Sequence, residues 1–492
     1  MVHSGNFPKG VVSSFLLFAC MNFIIGCAGS IPATLFGQNA ATPTIVYTNP
    51  GIIIDSTTKY QTIDGFGISE AFGEASLLRS LPSAVQQQVL DDLFSTSTGA
   101  GLDILRNMIP SSSDSTIEPT NPGYATVHPT YVWNGDDQGQ VWLSKLVEKN
   151  YGITQLYANA WSAPGFMKTS GSDIGGQLCG SPESSWCNDG DWRQPYANYL
   201  IQYLKDYQRE GITIPYIGFS NEPDIPLVNY SSMLMSPEQA DDFVKVLGPT
   251  LKGAGLRTTI VCCDSETWLT AKNGYVPAIE NDPIASPYVS VYSGHAYIST
   301  PKSPLTSNPA KRSWETEWCT FNPWDNAWDN SKTDSGFTWA QHIYTALTAG
   351  NVNAFFYWWG ASNDHKDQSL IYLNDSSIDV SKRLWAFANY SRFIRPGATR
   401  ISATTSDSNL EVTAFTNTNG SIAIVVLNTA TQATTVPIAL PKMGIANGTS
   451  VIPYVTDSTN SMTKQDPLTL TNGTFPATLP AHSLITYTIS AS

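Results

Sequence analysis

Charge is what this chain has least of. Only 13% of its 492 residues are Asp, Glu, Lys or Arg, and 40 acidic residues against 26 Lys and Arg leave a net charge of −14. So few cations, outweighed by anions, exclude the electrostatic grip that nucleic acids and anionic membrane surfaces require. Long apolar runs are missing beyond the N-terminal segment, so no later stretch is expected to span a bilayer and no C-terminal apolar tail to specify a lipid anchor. Cysteine is sparse as well, and the 7 present fit no zinc-ligand spacing. Aromatic residues, by contrast, are plentiful: 14 Trp, 22 Tyr and 19 Phe. Their planes serve sugar faces and protein cores equally, so abundance alone decides nothing.

The N-terminal segment reads as an export signal. Lys9 precedes an apolar stretch from Val11 to Gly26, and small residues follow at Cys27-Ala28-Gly29-Ser30. Residues 1–28 are therefore expected to form a signal peptide; a bacterial lipidation box at Ile24-Ile25-Gly26-Cys27 is the alternative. Asn-x-Ser/Thr tripeptides at Asn229, Asn374, Asn389, Asn419, Asn447 and Asn472 favour a eukaryotic secretory route and predict a secreted, extracellular glycoprotein. Cys20 and Cys27 leave with the signal. Cys179 and Cys187 flank a loop rich in Ser, Pro and Gly and are expected to pair there, while Cys319 can reach Cys262 or Cys263, leaving one thiol free.

Residues 29–44 are rich in Ala, Thr, Pro and Gln and predict a disordered lead-in. Strand-like runs then alternate with helical stretches. The strands are expected at Tyr60–Ser69, Leu102–Met108, Gln155–Ser162, Tyr216–Asn221, Thr258–Asp264, Val289–Tyr297, Arg312–Glu317 and Ala354–Trp359. Amphipathic helices are expected at Ser83–Phe94, Pro195–Glu210 and Ser236–Lys252, the last with a Ser cap and Pro in its first turn. Alternation on this scale predicts an α/β fold, a (β/α)8 TIM barrel over 60–394. Past Arg395-Pro396-Gly397 the sequence turns to short β runs separated by Thr, Asn and Gly. Residues 395–492, joined by an N-terminal strand from 45–59 that contains Ile52-Ile53-Ile54, predict an attached β-sandwich side domain.

Two of the barrel runs end in a glutamate: Tyr216-Ile217-Gly218-Phe219-Ser220-Asn221-Glu222-Pro223 and Arg312-Ser313-Trp314-Glu315-Thr316-Glu317-Trp318-Cys319. A barrel presents its strand C-termini to one open face. Two carboxylates delivered there are what glycoside hydrolysis needs, one to protonate the leaving oxygen and one to attack the anomeric carbon. Other strand ends supply matching candidates. Arg106 can hold a carboxylate ionised, the Asn221 amide can bind a sugar 2-hydroxyl, and the Tyr297 phenol beside His295 can hydrogen-bond the nucleophile. Trp161 and Trp358, with Trp359, can floor a sugar site. Each is equally compatible with core packing or a satisfied buried polar group. Glu315 shares a strand face with Glu317 and is expected deeper, in support.

The segments Ile63-Asp64-Gly65-Phe66-Gly67, Trp161–Lys168, Ser220–Pro223, Ser293-Gly294-His295-Ala296-Tyr297 and Trp314–Glu317, in this order, resemble glycoside hydrolase family 30. The likeness covers nearly all of the mature chain. It implies Glu222 as acid/base, Glu317 as nucleophile, retention of configuration, no metal or organic cofactor, and action on a polysaccharide; a monomer is expected, though nothing in the sequence specifies the oligomeric state. Gly65 to Phe72 resembles the family's fungal xylanase branch, which implies β-1,4-xylan as substrate, cleaved internally or in disaccharide steps. A β-1,6-glucan, a β-1,6-galactan or a glucosylceramide is the alternative within the family. Xylanases of this group that prefer glucuronate side groups bind them through an arginine; the corresponding stretch here is Phe72-Gly73-Glu74-Ala75, which implies plain or acetylated xylan. Repulsion between the paired carboxylates predicts that Glu222 titrates above Glu317.

Overall fold

The computed structural model describes residues 51–491 except 185, 186, 188, 375, 376 and 442. The expected signal peptide and lead-in lie outside the described residues. One strand was expected over Tyr60–Ser69, but the chain forms two, β1 (Ile52–Thr62) and β2 (Gly65–Ser69). They belong to different sheets. The switch occurs at Gly65, whose φ of +152° leaves no room for a side chain: a Cβ there would lie 2.1 Å from Asp103 Oδ1.

Eight parallel strands follow in register: β2, β3 (Ile104–Ile109), β4 (Gln155–Ala160), β5 (Tyr216–Gly218), β6 (Thr259–Ser265), β7 (Val289–Gly294), β8 (Arg312–Glu315) and β9 (Ala354–Ser362). β9 pairs with both β8 and β2 and closes the barrel. Ile104, Tyr157, Val261, Val291, Trp314 and Phe356 pack inside it as a floor. Asp64 Oδ2 accepts the Trp314 indole N–H at 2.8 Å, and a Cβ on Gly67 would lie 2.3 Å from the Phe356 ring. The Ile63–Gly67 segment therefore closes the barrel rather than serving chemistry. Helices form at Ser83–Phe94, Arg193–Arg209 and Pro237–Gly253, the last opened by Ser236 in a capping box with Gln239.

The strands Thr399–Thr405, Leu410–Thr416, Ile422–Asn428, Thr434–Ala439, Ser450–Thr456, Thr474–Leu479 and Ser483–Ile489 build the β-sandwich. β1 joins it antiparallel to Thr399–Thr405 and parallel to Thr434–Ala439, as expected of an N-terminal contribution. Every residue of Ile422–Asn428 is buried. Ile422, Ile424 and Val426 fill the sandwich, while Ala423, Val425 and Leu427 join the core that surrounds the barrel. A strand apolar on both faces thus holds the two domains together, each buried Val or Ile side chain contributing roughly 1.5–3 kcal/mol.

Cys179 and Cys187 form the expected disulfide. Cys319 does not reach Cys262 or Cys263, because those two, adjacent on β6, are paired with each other; Cys319 is the free thiol, buried. Of the tripeptide asparagines, Asn389 is corrected: its side chain is fully buried and donates to Thr456 Oγ1 at 2.7 Å, so no glycan can be attached there. No helix among the described residues is long and apolar enough to cross a membrane.

Candidate active site

The strand C-termini open onto a cleft of about 530 Å³ whose walls include Glu222, Glu317, Trp161, Tyr297, Trp358 and Trp359. Arg106, Asn221 and His295 lie buried beneath it. All the side chains singled out from the sequence therefore converge. β5 ends at Gly218 and β8 at Glu315, so both glutamates stand on turns beyond the strands, not inside them. Glu222 has φ +47°, a left-handed conformation that non-glycine residues keep mainly at constrained functional turns. Its backbone N–H donates to Asp264 O at 2.8 Å, which fixes the turn.

Arg106 organises the floor of the site. Its Nη1 donates to Glu317 Oε2, and its Nη2 donates to Asn221 Oδ1 at 2.7 Å and Asp264 Oδ2 at 2.9 Å. Its guanidinium carbon lies 4.4 Å from the centre of the Trp161 ring. Burial opposes its charge, but Glu317 and Asp264 more than offset that and keep it cationic. Because Asn221 gives its oxygen to Arg106, its NH2 group is the one left for a sugar hydroxyl. Tyr297 donates to Glu317 Oε1 at 2.7 Å, as expected, so both oxygens of this glutamate are held.

Sequence reasoning overlooked Asp264. It accepts from Arg106 and also from Tyr157 (2.8 Å), Asn159 (2.9 Å) and Thr316 (2.8 Å). Burial pushes its carboxyl up, but Arg106, His295 and Ser293 outweigh burial and hold it well below the usual carboxylate range. The one available cue was an acid inside an apolar strand. Tyr230, eight residues beyond Glu222 on a loop, was also missed; its hydroxyl donates to Glu222 Oε2 at 2.7 Å. That loop is tied back by Lys168, whose Nζ donates to Ser232 O at 2.6 Å and Ser162 Oγ at 2.7 Å. Phe72 and Phe321 complete the rim. Phe72 meets Trp161, Tyr230 and Trp358 edge-on, and Phe321 stacks on Tyr297.

His295 Nδ1 lies 3.2 Å from Glu222 Oε1, and its Nε2 lies 3.8 Å from both Asp264 Oδ2 and Glu317 Oε2. Burial lowers its pKa, but Glu317, Asp264 and Glu222 raise it to about 10. The imidazolium in turn acts on Glu222. Burial raises that carboxyl, yet the His295 hydrogen bond and charge, helped by Tyr230 and Arg106, bring it below its ordinary range. Glu222 and His295 thus titrate as a pair, the carboxyl lowered and the imidazole raised by their mutual contact. Since the folded pKa lies above the unfolded value of about 6.5, His295 stabilises the fold fully below that pH. The contribution is lost as pH rises towards 10. Melting temperatures of the native protein and His295→Asn are accordingly expected to differ most at pH 6 and to converge by pH 10; a constant difference would contradict this paired titration.

Glu315 takes the supporting place expected of it. Its Oε2 accepts from Phe356 N at 3.1 Å, and burial raises its carboxyl to about 8. Glu74, by contrast, is not part of the cleft wall, which Phe72 occupies. Its carboxyl interacts with Ser362, and burial raises it to about 7, so it is poorly placed to repel a uronate.

The sequence profile of the glycosyl hydrolase family 30 TIM-barrel domain matches residues 63–331, and that of the family's beta sandwich domain matches 397–487. Among solved structures, the chain is similar to the catalytic domain of GH30 xylanase C from Talaromyces cellulolyticus, at 42% identity and a TM-score of 0.83, covering 89% of this chain and 100% of that one. Among curated proteins it is 27% identical over 431 residues to putative glucosylceramidase 1 of Caenorhabditis elegans, covering 80% of this chain and 79% of that protein. It is likewise 27% identical over 414 residues to an endo-1,6-beta-D-glucanase of Neurospora crassa, with 76% and 81% covered.

Proposed function

This chain belongs to glycoside hydrolase family 30, and from that premise we propose that it is a secreted, monomeric, retaining hydrolase of β-1,4-xylan. The observation that carries retention is the spacing of the glutamates: a carboxylate oxygen of Glu222, one of Glu317 and a ring nitrogen of His295 all lie within 4.8 Å of one another. Retaining pairs stand about 5–5.5 Å apart, whereas inverting pairs leave about 6.5–9.5 Å for a water. Glu317, oriented by Tyr297 and Arg106, attacks the anomeric carbon. Glu222 protonates the glycosidic oxygen, the carbon–oxygen bond breaks, and a glycosyl ester remains on Glu317. Glu222 then takes a proton from water, whose oxygen attacks the same carbon and frees Glu317.

Xylan is favoured by the higher identity to the Talaromyces xylanase, 42% over its whole length, against 27% to the Neurospora β-1,6-glucanase. The latter supports a second reading, cleavage of a β-1,6-glycan by the same two glutamates. Product analysis separates them. Incubation with arabinoxylan, glucuronoxylan, β-1,6-glucan and β-1,6-galactan is expected to release oligosaccharides from the xylans alone. Release only from a β-1,6-glycan would overturn the xylan reading and leave the catalytic pair standing.

A further inference from the structure

Glu266 is a carboxyl in the cleft for which the proposed chemistry has no task. It stands on the turn after β6, lines the cleft with Glu222, is 9% exposed, and its Oε2 is buried without a hydrogen-bond partner. Buried polar atoms are almost always satisfied, so an orphan in the wall of a binding cleft marks a place where a ligand completes the bonding. The placement is built. Glu266 N donates to Asp224 Oδ1 at 2.8 Å, and Glu222 N donates to Asp264 O at 2.8 Å, so the turns that carry the two glutamates are pinned to each other. Burial first, then the charges of Glu222 and Asp224, with His295 opposing, raise the Glu266 carboxyl to about 7. A carboxyl in that state offers a donor as well as an acceptor.

The barrel order says which part of a substrate meets it. Glu222 follows β5 and Glu317 follows β8, and together they divide the rim into two arcs. The arc formed by β9, β2, β3 and β4 carries Trp358, Phe72, Arg106 and Trp161, an aromatic surface continuous with Asn221 through Arg106. That surface suits the sugar that becomes bound to Glu317. Glu266 belongs to the other arc, across the proton donor from that surface, on the side left for the departing sugar.

We propose that Glu266 hydrogen-bonds a hydroxyl of the leaving sugar. The proposal rests on Glu222 being the proton donor. A group acting only through Glu222 would affect every poor leaving group alike; a group touching the sugar affects only leaving groups that carry hydroxyls. The test therefore compares xylotetraose with benzyl β-xylobioside, whose alcohol also needs protonation but has no other hydroxyl. For Glu266→Ala, the ratio of kcat/KM for xylotetraose to that for the benzyl glycoside is expected to fall about tenfold, the value of one hydrogen bond to an ionisable group. Glu266→Gln, which keeps the bonding capacity, is expected to restore most of it. The melting temperature of Glu266→Ala is expected to hold or rise by about 1–2 °C, because an unpaired buried oxygen and two repulsions are removed. An unchanged ratio, or equal loss on both substrates, would overturn the proposal. Should Glu266→Ala fail to fold, Glu266→Met carries the same comparison. Native protein inactive on both xylosides would count instead against xylan as substrate, and the same split is then expected between gentiotetraose and benzyl β-gentiobioside.

Discussion

Glu317→Gln is expected to reduce kcat on xylan by about 10⁴–10⁶-fold, the range reached when a covalent nucleophile is removed. The loss should be confined to chemistry. A glutamine can accept from Arg106 with its oxygen and donate to the Tyr297 hydroxyl with its NH2, so both contacts that orient residue 317 have a neutral counterpart. Calorimetric titration of the variant with xylotetraose should therefore give a dissociation constant close to the native Michaelis constant. Retention of more than about a tenth of native turnover, far above what loss of a nucleophile allows, would show that the attacking group lies elsewhere.

Arg106→Met should harm both stability and rate. The guanidinium is completely buried and is shared among Glu317, Asn221 and Asp264. Removing one partner from such a set leaves buried anions uncompensated, at about 3–5 kcal/mol. For a chain of this size that corresponds to a melting temperature lower by roughly 5–10 °C. Turnover should drop by about 10²-fold or more, since misplacement of a reacting group by an ångström has that effect. Arg106→Lys is the informative companion. Its ammonium restores a charge but cannot span three acceptors with a planar fork, so thermal stability should recover further than rate. An Arg106→Met protein that melts like the native one would mean that Asp264 and Glu317 are not held by this charge.

The barrel was legible because each of its strands is an apolar run, and because the two decisive glutamates follow such runs directly. What eluded sequence reading has no local signature. Asp264 gains its importance only when β3, β4, β6 and the turn after β8 bring Arg106, Tyr157, Asn159 and Thr316 to one carboxylate. Tyr230 and Phe321 sit on connecting loops, where no periodicity says which residue turns inward. The break between β1 and β2 was hidden for a different reason: Ile63 to Ile68 is uniformly buried, and only the steric demand at Gly65 separates sandwich from barrel. The lowered pKa of Glu222 is a matter of charge balance. Counting carboxylates predicts an elevated pKa, but the answer depends on where His295 comes to rest.

The way β1 is paired has a consequence for how the protein is made. Ile52 stands opposite Thr405 on one side and Ile438 on the other, so the first described strand waits for nearly the last part of the chain. At about 5–20 residues per second of synthesis, the barrel sequence is complete tens of seconds after β1 has been made. During that interval β1 is an open edge with Ile52 and Ile54 uncovered, a template for pairing with any other extended chain nearby. A product truncated before residue 434 would carry that edge permanently. Cover for β1 until Thr434–Ala439 has been made would therefore lower the risk of mispairing during synthesis.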